Sequence, residues 1–161
     1  MTLGRTAMEN ALVIGASGGI GSALVNQLQR QGVQVTALSR SRQGLDVTDE
    51  GSVDRHLSVL QPPYDLIFVA TGALQGAGQP PEKSLRALSA AAMADQFAVN
   101  CIGPALVLQQ APRLLRRDRR AVFAALSARV GSIGDNHLGG WYSYRAAKAA
   151  LNQVVHSGAI E

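Results

Sequence analysis

The chain of 161 residues is 47% hydrophobic and 16% charged, which suits one globular domain with a sizeable core and excludes a disordered chain. No uninterrupted apolar run approaches the ~20 residues of a membrane helix, and the N-terminal MTLGRTAMEN lacks the apolar stretch of a secretory signal. The one cysteine, Cys101, cannot form an internal disulfide and reads as a small buried hydrophobe, so a cytoplasmic location is expected.

The net charge of +4 has a single source. Five arginines crowd into RLLRRDRR (113–120), and outside that stretch basic and acidic residues balance at ten each. With no aromatic side chains interleaved, the cluster reads as the solvated end of a helix, where cations face the negative end of the dipole. It does not read as a nucleic-acid surface.

In chain order, NALVIGA (10–16) is a short apolar run ending in glycine and predicts a buried strand. IGSALVNQLQRQG (20–32) sets Ile20, Leu24 and Leu28 at helical spacing and stops at Gly32. VQVTALS (33–39) alternates as a second strand, DEGSVDRHLSVL (49–60) predicts a short helix, and YDLIFVATG (64–72) a third strand. From Leu85 to Leu115 the pattern is helical, interrupted near Gly103-Pro104. AVFAALS (121–127) is a fourth strand, RVGSIGDNHLGG (129–140) a long loop, and residues from Trp141 onward a helix. Strands alternate with helices and are apolar on both parities. That predicts a doubly wound α/β fold around a parallel sheet, with residues 1–161 as a single Rossmann-type domain.

IGASGGIGSAL lies between the first strand and the first helix. Its glycines at 15, 19 and 21 permit a tight turn, and the free N–H groups of the helix start favour a pyrophosphate. At the end of the second strand an NAD site usually carries an acid for the ribose 2′-hydroxyl. Here ALSRSR supplies Ser39, Arg40, Ser41 and Arg42, with no acid before Asp46. A guanidinium suits a 2′-phosphate, so NADP is expected over NAD.

GGWYSYRAAKAALNQ (139–153) places Tyr144 and Lys148 four residues apart, on one helical face, with Tyr142 roughly opposite. A free phenol titrates near pH ~10. An adjacent ammonium would lower that value and equip the pair for acid–base work on a carbonyl or alcohol.

Glycine turn, Tyr144/Lys148 and the intervening Asn100 together resemble the short-chain dehydrogenase/reductase family from Ala11 onward, closest to its C-factor and sniffer-like carbonyl reductase branch. The resemblance implies that Gly15, Ser17, Gly18, Gly19, Ile20 and Gly21 form the cofactor turn, with Ile14 at the family's usual threonine. It implies that Asp46 and Val47 contact the adenine, and that Ala70, Thr71 and Gly72 stand for the family's Asn-Ala-Gly beside the cofactor. Asn100 matches the helix asparagine that holds a water of the proton relay. The carbonyl-polarising serine is less regular: counting back from Gly131 puts Ala128 at its position, leaving Ser127, with Ser132 as the alternative.

The implied activity is NADPH-dependent reduction of a ketone or aldehyde, reversible as alcohol oxidation, with Tyr144 as proton donor, Lys148 as ribose ligand, and Arg40 on the 2′-phosphate. No metal, nucleic acid or membrane partner is implied. The helices around Asn100 and Lys148 match the family's face for a homodimer or homotetramer. Family members continue beyond the lysine helix with a further strand, a substrate loop and a final strand. The resemblance therefore implies that these residues are the N-terminal part of a longer domain. A non-catalytic NADP-binding signalling protein of C-factor type, and an inactive fragment, stay open beside the reductase.

Overall fold

The structure is a computed structural model that describes residues 8–61 and 63–161. Residues 1–7, part of the stretch read above for a secretory signal, and Pro62 lie outside the described residues. Four strands, β1 (Asn10–Ile14), β2 (Gln34–Leu38), β3 (Leu66–Val69) and β4 (Val122–Ala125), form one sheet in the order β2-β1-β3-β4. Every pairing is parallel, as the alternation of strands and helices predicts. Each strand is shorter than its apolar run, which extends past the strand at one or both ends.

The pleat divides the core. Leu12, Ile14, Ile67 and Val69 face α3 (Glu50–Leu57) and α5 (Gly103–Leu114), which contribute Val53, Leu57, Val107, Ala111 and Leu114. Ala11 and Val13, with Leu66 and Phe68, face the other way, toward Leu24, Val25 and Leu28 of α1 (Gly19–Arg30). Both faces of the sheet are covered, so the fold is doubly wound. Each buried aliphatic side chain contributes on the order of 1.5–3 kcal/mol. The last helix, α6 (Tyr142–Gly158), lies against α4 (Ala90–Phe97) and α5.

The expected interruption near Gly103-Pro104 does not break the helix. A π-helical turn, Ala98–Ile102, joins α4 to α5 without a gap, and the Gly103 N–H reaches back to the Ala98 carbonyl. Pro104 has no N–H to give the Asn100 carbonyl four residues earlier, and a widened turn absorbs that lost bond. Gly103 itself lies so close to Val47 that a Cβ would stand 2.8 Å from its Cγ2. The continuous helix Ala90–Leu114 is long and apolar enough in composition to cross a membrane, although no single uninterrupted apolar run within it is. In this fold its Val107, Ala111 and Leu114 pack onto the sheet as a core helix does.

The arginine cluster departs from its reading as a solvated helix end. Helix α5 stops at Leu114, so only Arg113 sits in the last turn, donating to the carbonyls of Leu57 (2.6 Å) and Leu60 (3.4 Å). Arg116 and Arg119 turn inward onto Asp65, at 3.1 and 2.9 Å, and both also pair with Glu9. Asp65 is 5% exposed. Its carboxylate also accepts the backbone N–H groups of Glu9 (2.8 Å) and Asn10 (3.0 Å), so it ties the start of β1 to the start of β3 and the segment before β4.

Burial opposes the Asp65 charge, but the Asn10 and Glu9 N–H groups and the two guanidiniums outweigh it and hold the carboxyl below its usual range. A carboxyl lowered on folding stabilises the native state fully above its unfolded value, about 3.9, and loses that contribution as the pH falls through the folded value. Asp65→Asn is expected to lose about 2 kcal/mol of stability at neutral pH. In urea unfolding the gap from the parent should close as the pH falls below about 4; a gap that stays constant would show that the ionised carboxylate is not the stabilising species.

Candidate active site

The strand order reverses between β2-β1 and β1-β3, and the crevice outside the carboxyl ends of those strands is where doubly wound folds hold ligands. Here the crevice is a cleft of about 340 Å³. Its lining brings together three separated sequence segments, within Ile14 to Gly18, Ser39 to Thr48 and Ala70 to Ala73, with Val99 from the π-helical turn as a fourth contributor.

The glycine turn forms the floor. Gly15 has φ +83°, and a Cβ there would stand 2.9 Å from the Ala70 carbonyl carbon. A Cβ at Gly21 would stand 2.3 Å from the Gly15 carbonyl oxygen, so this glycine lets α1 close onto the turn. At Gly19, by contrast, a Cβ would meet nothing within 4 Å. The protein fold does not require glycine at that position, whereas a phosphate on the helix start would. Helix α1 has no acid in its first turn and no side-chain cap, which leaves its N–H groups to an anion. Ile20 is exposed beside them.

On the second wall Arg40 opens the short helix α2 (Arg40–Gln43), behind Ser39, whose N–H donates to Gln43 Oε1 at 2.9 Å. Asp46 Oδ1 accepts from the Thr48 hydroxyl and N–H, which hold its carboxyl below the usual range despite some burial, with the Arg40 charge assisting. Asp46 and Val47 both line the cleft. On the third wall Thr71 carries a buried hydroxyl with no partner among the described residues. A dinucleotide fits this site on three counts: an open cradle at Gly19, a guanidinium at the end of β2, and an unsatisfied hydroxyl on the wall.

Gly72 joins the cleft to the helix pair behind it. A Cβ at Gly72 would lie 3.2 Å from Asn100 Oδ1 and 3.6 Å from Lys148 Nζ. Lys148 is 2% exposed, and its Nζ donates to the Leu126 carbonyl at 2.7 Å. Gly131 packs against its backbone, where a Cβ would come within 2.9 Å of Lys148 Cβ. The Lys148 ammonium lies 5.8 Å from the centre of the Tyr144 ring, so the two side chains share a face as their spacing predicts.

The expected lowering of the tyrosine does not occur in this arrangement. Burial pushes the Tyr144 phenol above its usual range, and burial likewise lowers Lys148. The ammonium stands over the ring and is held by Leu126. Cys101 nearby is raised by burial, partly offset by Lys148, and is a packed thiol as expected.

Asn100 is fully buried, and both of its amide protons are in use, donating to the carbonyl of Ala73 (2.8 Å) and to Gln96 Oε1 (2.7 Å). Its Oδ1 accepts the Ala73 N–H at 3.2 Å. The side chain thus fixes the segment after β3. Of the two serines, Ser127 donates to Asn152 Oδ1 at 2.6 Å, a partner on α6 that sequence patterns do not indicate. Ser132 is taken up locally, accepting the Asp135 N–H at 3.3 Å. Ala70 has no side-chain donor, and its backbone N–H pairs with the Ile14 carbonyl at 2.7 Å.

The sequence model of the NAD dependent epimerase/dehydratase family matches residues 11–158. A 1-hydroxy-2-glutathionyl-2-methyl-3-butene dehydrogenase of Rhodococcus sp. (strain AD45) is 30% identical over 162 residues, covering 91% of this chain and 68% of that protein. C-signal of Myxococcus xanthus is 40% identical over 65 residues, 40% of this chain and 39% of that protein. Among solved structures, a carbonyl reductase from Pseudomonas aeruginosa PAO1 superposes with a TM-score of 0.79 at 26% identity, over 93% of this chain and 75% of that one. The chain belongs to the NAD dependent epimerase/dehydratase family, as a short-chain dehydrogenase/reductase.

Proposed function

We propose that the protein is an NADPH-dependent reductase of a ketone or aldehyde. The observation that carries this reading is the buried Lys148 beneath Gly72, one helical turn from Tyr144. When bound, the nicotinamide cofactor supplies or accepts a hydride at the carbonyl carbon. The Gly15–Gly21 turn and the start of α1 would hold its pyrophosphate, Asp46 and Val47 its adenine, and Arg40 a 2′-phosphate. Tyr144 would give its phenolic proton to the carbonyl oxygen. Lys148 spends one N–H on Leu126 and keeps two for ribose hydroxyls. Ser127 can steady the carbonyl oxygen once its hydroxyl leaves Asn152. The likeness to dehydrogenases and to a carbonyl reductase supports the reaction class, and the absence of an acid between Ser39 and Leu45 supports NADPH.

A phenol raised by burial stays protonated across neutral pH, which is the form a proton donor needs. Reduction should therefore hold its rate across neutral pH, while alcohol oxidation, which needs the phenolate, should rise toward alkaline pH. Tyr144→Phe in the full-length protein is expected to lower kcat for carbonyl reduction by about 10²–10⁴-fold. Retention of most turnover by that variant would remove Tyr144 from the chemistry. Arg40→Ala should raise KM for NADPH by about tenfold and leave that for NADH nearly unchanged, a loss typical of a charged hydrogen bond. Equal losses for both cofactors would count against a 2′-phosphate contact. Similarity to C-signal supports a second reading, a non-catalytic NADP-binding signalling protein. Cofactor binding without turnover of any carbonyl substrate would support that reading.

A further inference from the structure

Helix α6 carries Tyr144 and Lys148, yet its own sequence does little to cap its start. Trp141 at the N-cap position is a non-glycine residue in the left-handed region (φ +53°), follows two left-handed glycines, and makes no side-chain cap; the first turn holds no acid. The helix is capped by a residue 61 positions earlier in the chain. Glu82 Oε1 accepts the Ser143 hydroxyl, Glu82 Oε2 accepts the Ser143 N–H at 3.3 Å, and the Glu82 backbone carbonyl accepts the Trp141 N–H. Both Glu82 and Ser143 are buried, at 6% and 1% exposure. Burial opposes the charge, but the hydrogen bonds from Ser143 and Glu82's own N–H outweigh it and keep the carboxyl below its usual range. A carboxylate at this place suits the positive end of the α6 dipole.

The segment that presents Glu82 is itself seated on the helix of Asn100. A Cβ at Gly76 would stand 2.5 Å from the Ala92 carbonyl oxygen, and the Ala77 N–H donates to Asp95 Oδ2 at 2.8 Å. Gly140 packs under the same segment, where a Cβ would lie 3.4 Å from the Glu82 carbonyl oxygen. Tyr144 directly follows Ser143, and its ring meets that of Trp141 edge to face, with centroids 6.3 Å apart.

We propose that Glu82 is a positioning residue for Tyr144: its buried carboxylate caps α6 from a distant loop and sets where the phenol stands relative to Lys148. The effect on turnover rests on the reductase reading, whereas the effect on ring geometry does not. Trp141 is the protein's one tryptophan, so its near-ultraviolet circular dichroism reports changes in the surroundings of its ring, the Tyr144 contact among them.

The test compares the full-length parent with Glu82→Gln, Glu82→Ala, Ser143→Ala and Tyr144→Phe. Glu82→Ala and Ser143→Ala should each change the Trp141 signal. They should lower kcat by roughly ten- to a hundredfold, the scale of a small misplacement of a reacting group, with KM for NADPH within about twofold of the parent, since Glu82 is outside the cofactor cleft. Glu82→Gln keeps one acceptor oxygen and should recover part of both readouts. An unchanged Trp141 signal in folded Glu82→Ala and Ser143→Ala overturns the proposal. So does parental kcat in Glu82→Ala when Tyr144→Phe is inactive, an outcome that leaves the reductase reading standing. If Tyr144→Phe itself keeps its turnover, the reductase reading falls and the Trp141 signal alone decides whether Glu82 positions the ring. Should Glu82→Ala fail to fold, the Ser143→Ala and Glu82→Gln pair decides on the same two readouts.

Discussion

The site depends on one buried ammonium. Lys148 has a single protein acceptor, the Leu126 carbonyl at the end of β4, and no carboxylate pairs with it among the described residues. Removing an ammonium from water without a countercharge is costly, and the lowered Lys148 value is the sign of that cost. The surroundings are shaped to accept it. Gly131 lets the 129–131 turn close onto the lysine backbone, Gly72 leaves room for Nζ beneath the cleft, and Asn100 closes the same space from the π-helical turn. A ligand with hydroxyl groups would complete a position so poorly compensated by the protein, as the proposed reading requires.

That compensation also explains why Tyr144 is not acidified in this structure. Burial disfavours the phenolate, and an ammonium held by the Leu126 carbonyl, 5.8 Å from the ring centre, does not reverse that. Burial is then the dominant influence on both groups. The spacing of four residues gives the shared face, and the strand end decides where on that face the charge sits.

Much of the fold was legible in the sequence because its information is local. Apolar runs on both parities mark Ala11–Ile14 and Leu66–Val69 as two-faced strands, and the Gly15–Gly21 spacing marks the turn between strand and helix. The Tyr144–Lys148 pair follows from helical period alone. What was not legible is what depends on distant partners. Arg116 and Arg119 belong to a run of arginines that composition assigns to solvent, and only the register of β1 against β3 brings Asp65 and Glu9 to them. Pro104 reads locally as a helix breaker, yet a π-helical turn absorbs it, beside the close packing of Gly103 on Val47. Glu82 sits in PPEK, which has the composition of any surface loop, and its partner is 61 residues away.

These non-local links share a direction. The Asn100 amide clamps Ala73, the segment from Gly76 to Glu82 continues from that point across α4, and Glu82 ends it on Ser143. One stretch of chain therefore runs from the cleft wall to the start of α6, fastened at both ends by buried polar groups. Buried polar networks of this kind add little net stability, because desolvation offsets most of what their hydrogen bonds gain. What they add is a single register. Tyr144 and Lys148 reside on α6 and Asn100 on the helix it packs against, and apolar packing alone would tolerate small slides of one against the other. A carboxylate that fits one turn of α6, and an amide that fits one loop carbonyl, do not tolerate such slides. Proton transfer depends on sub-ångström placement, so register is what the proposed reaction would require from the fold.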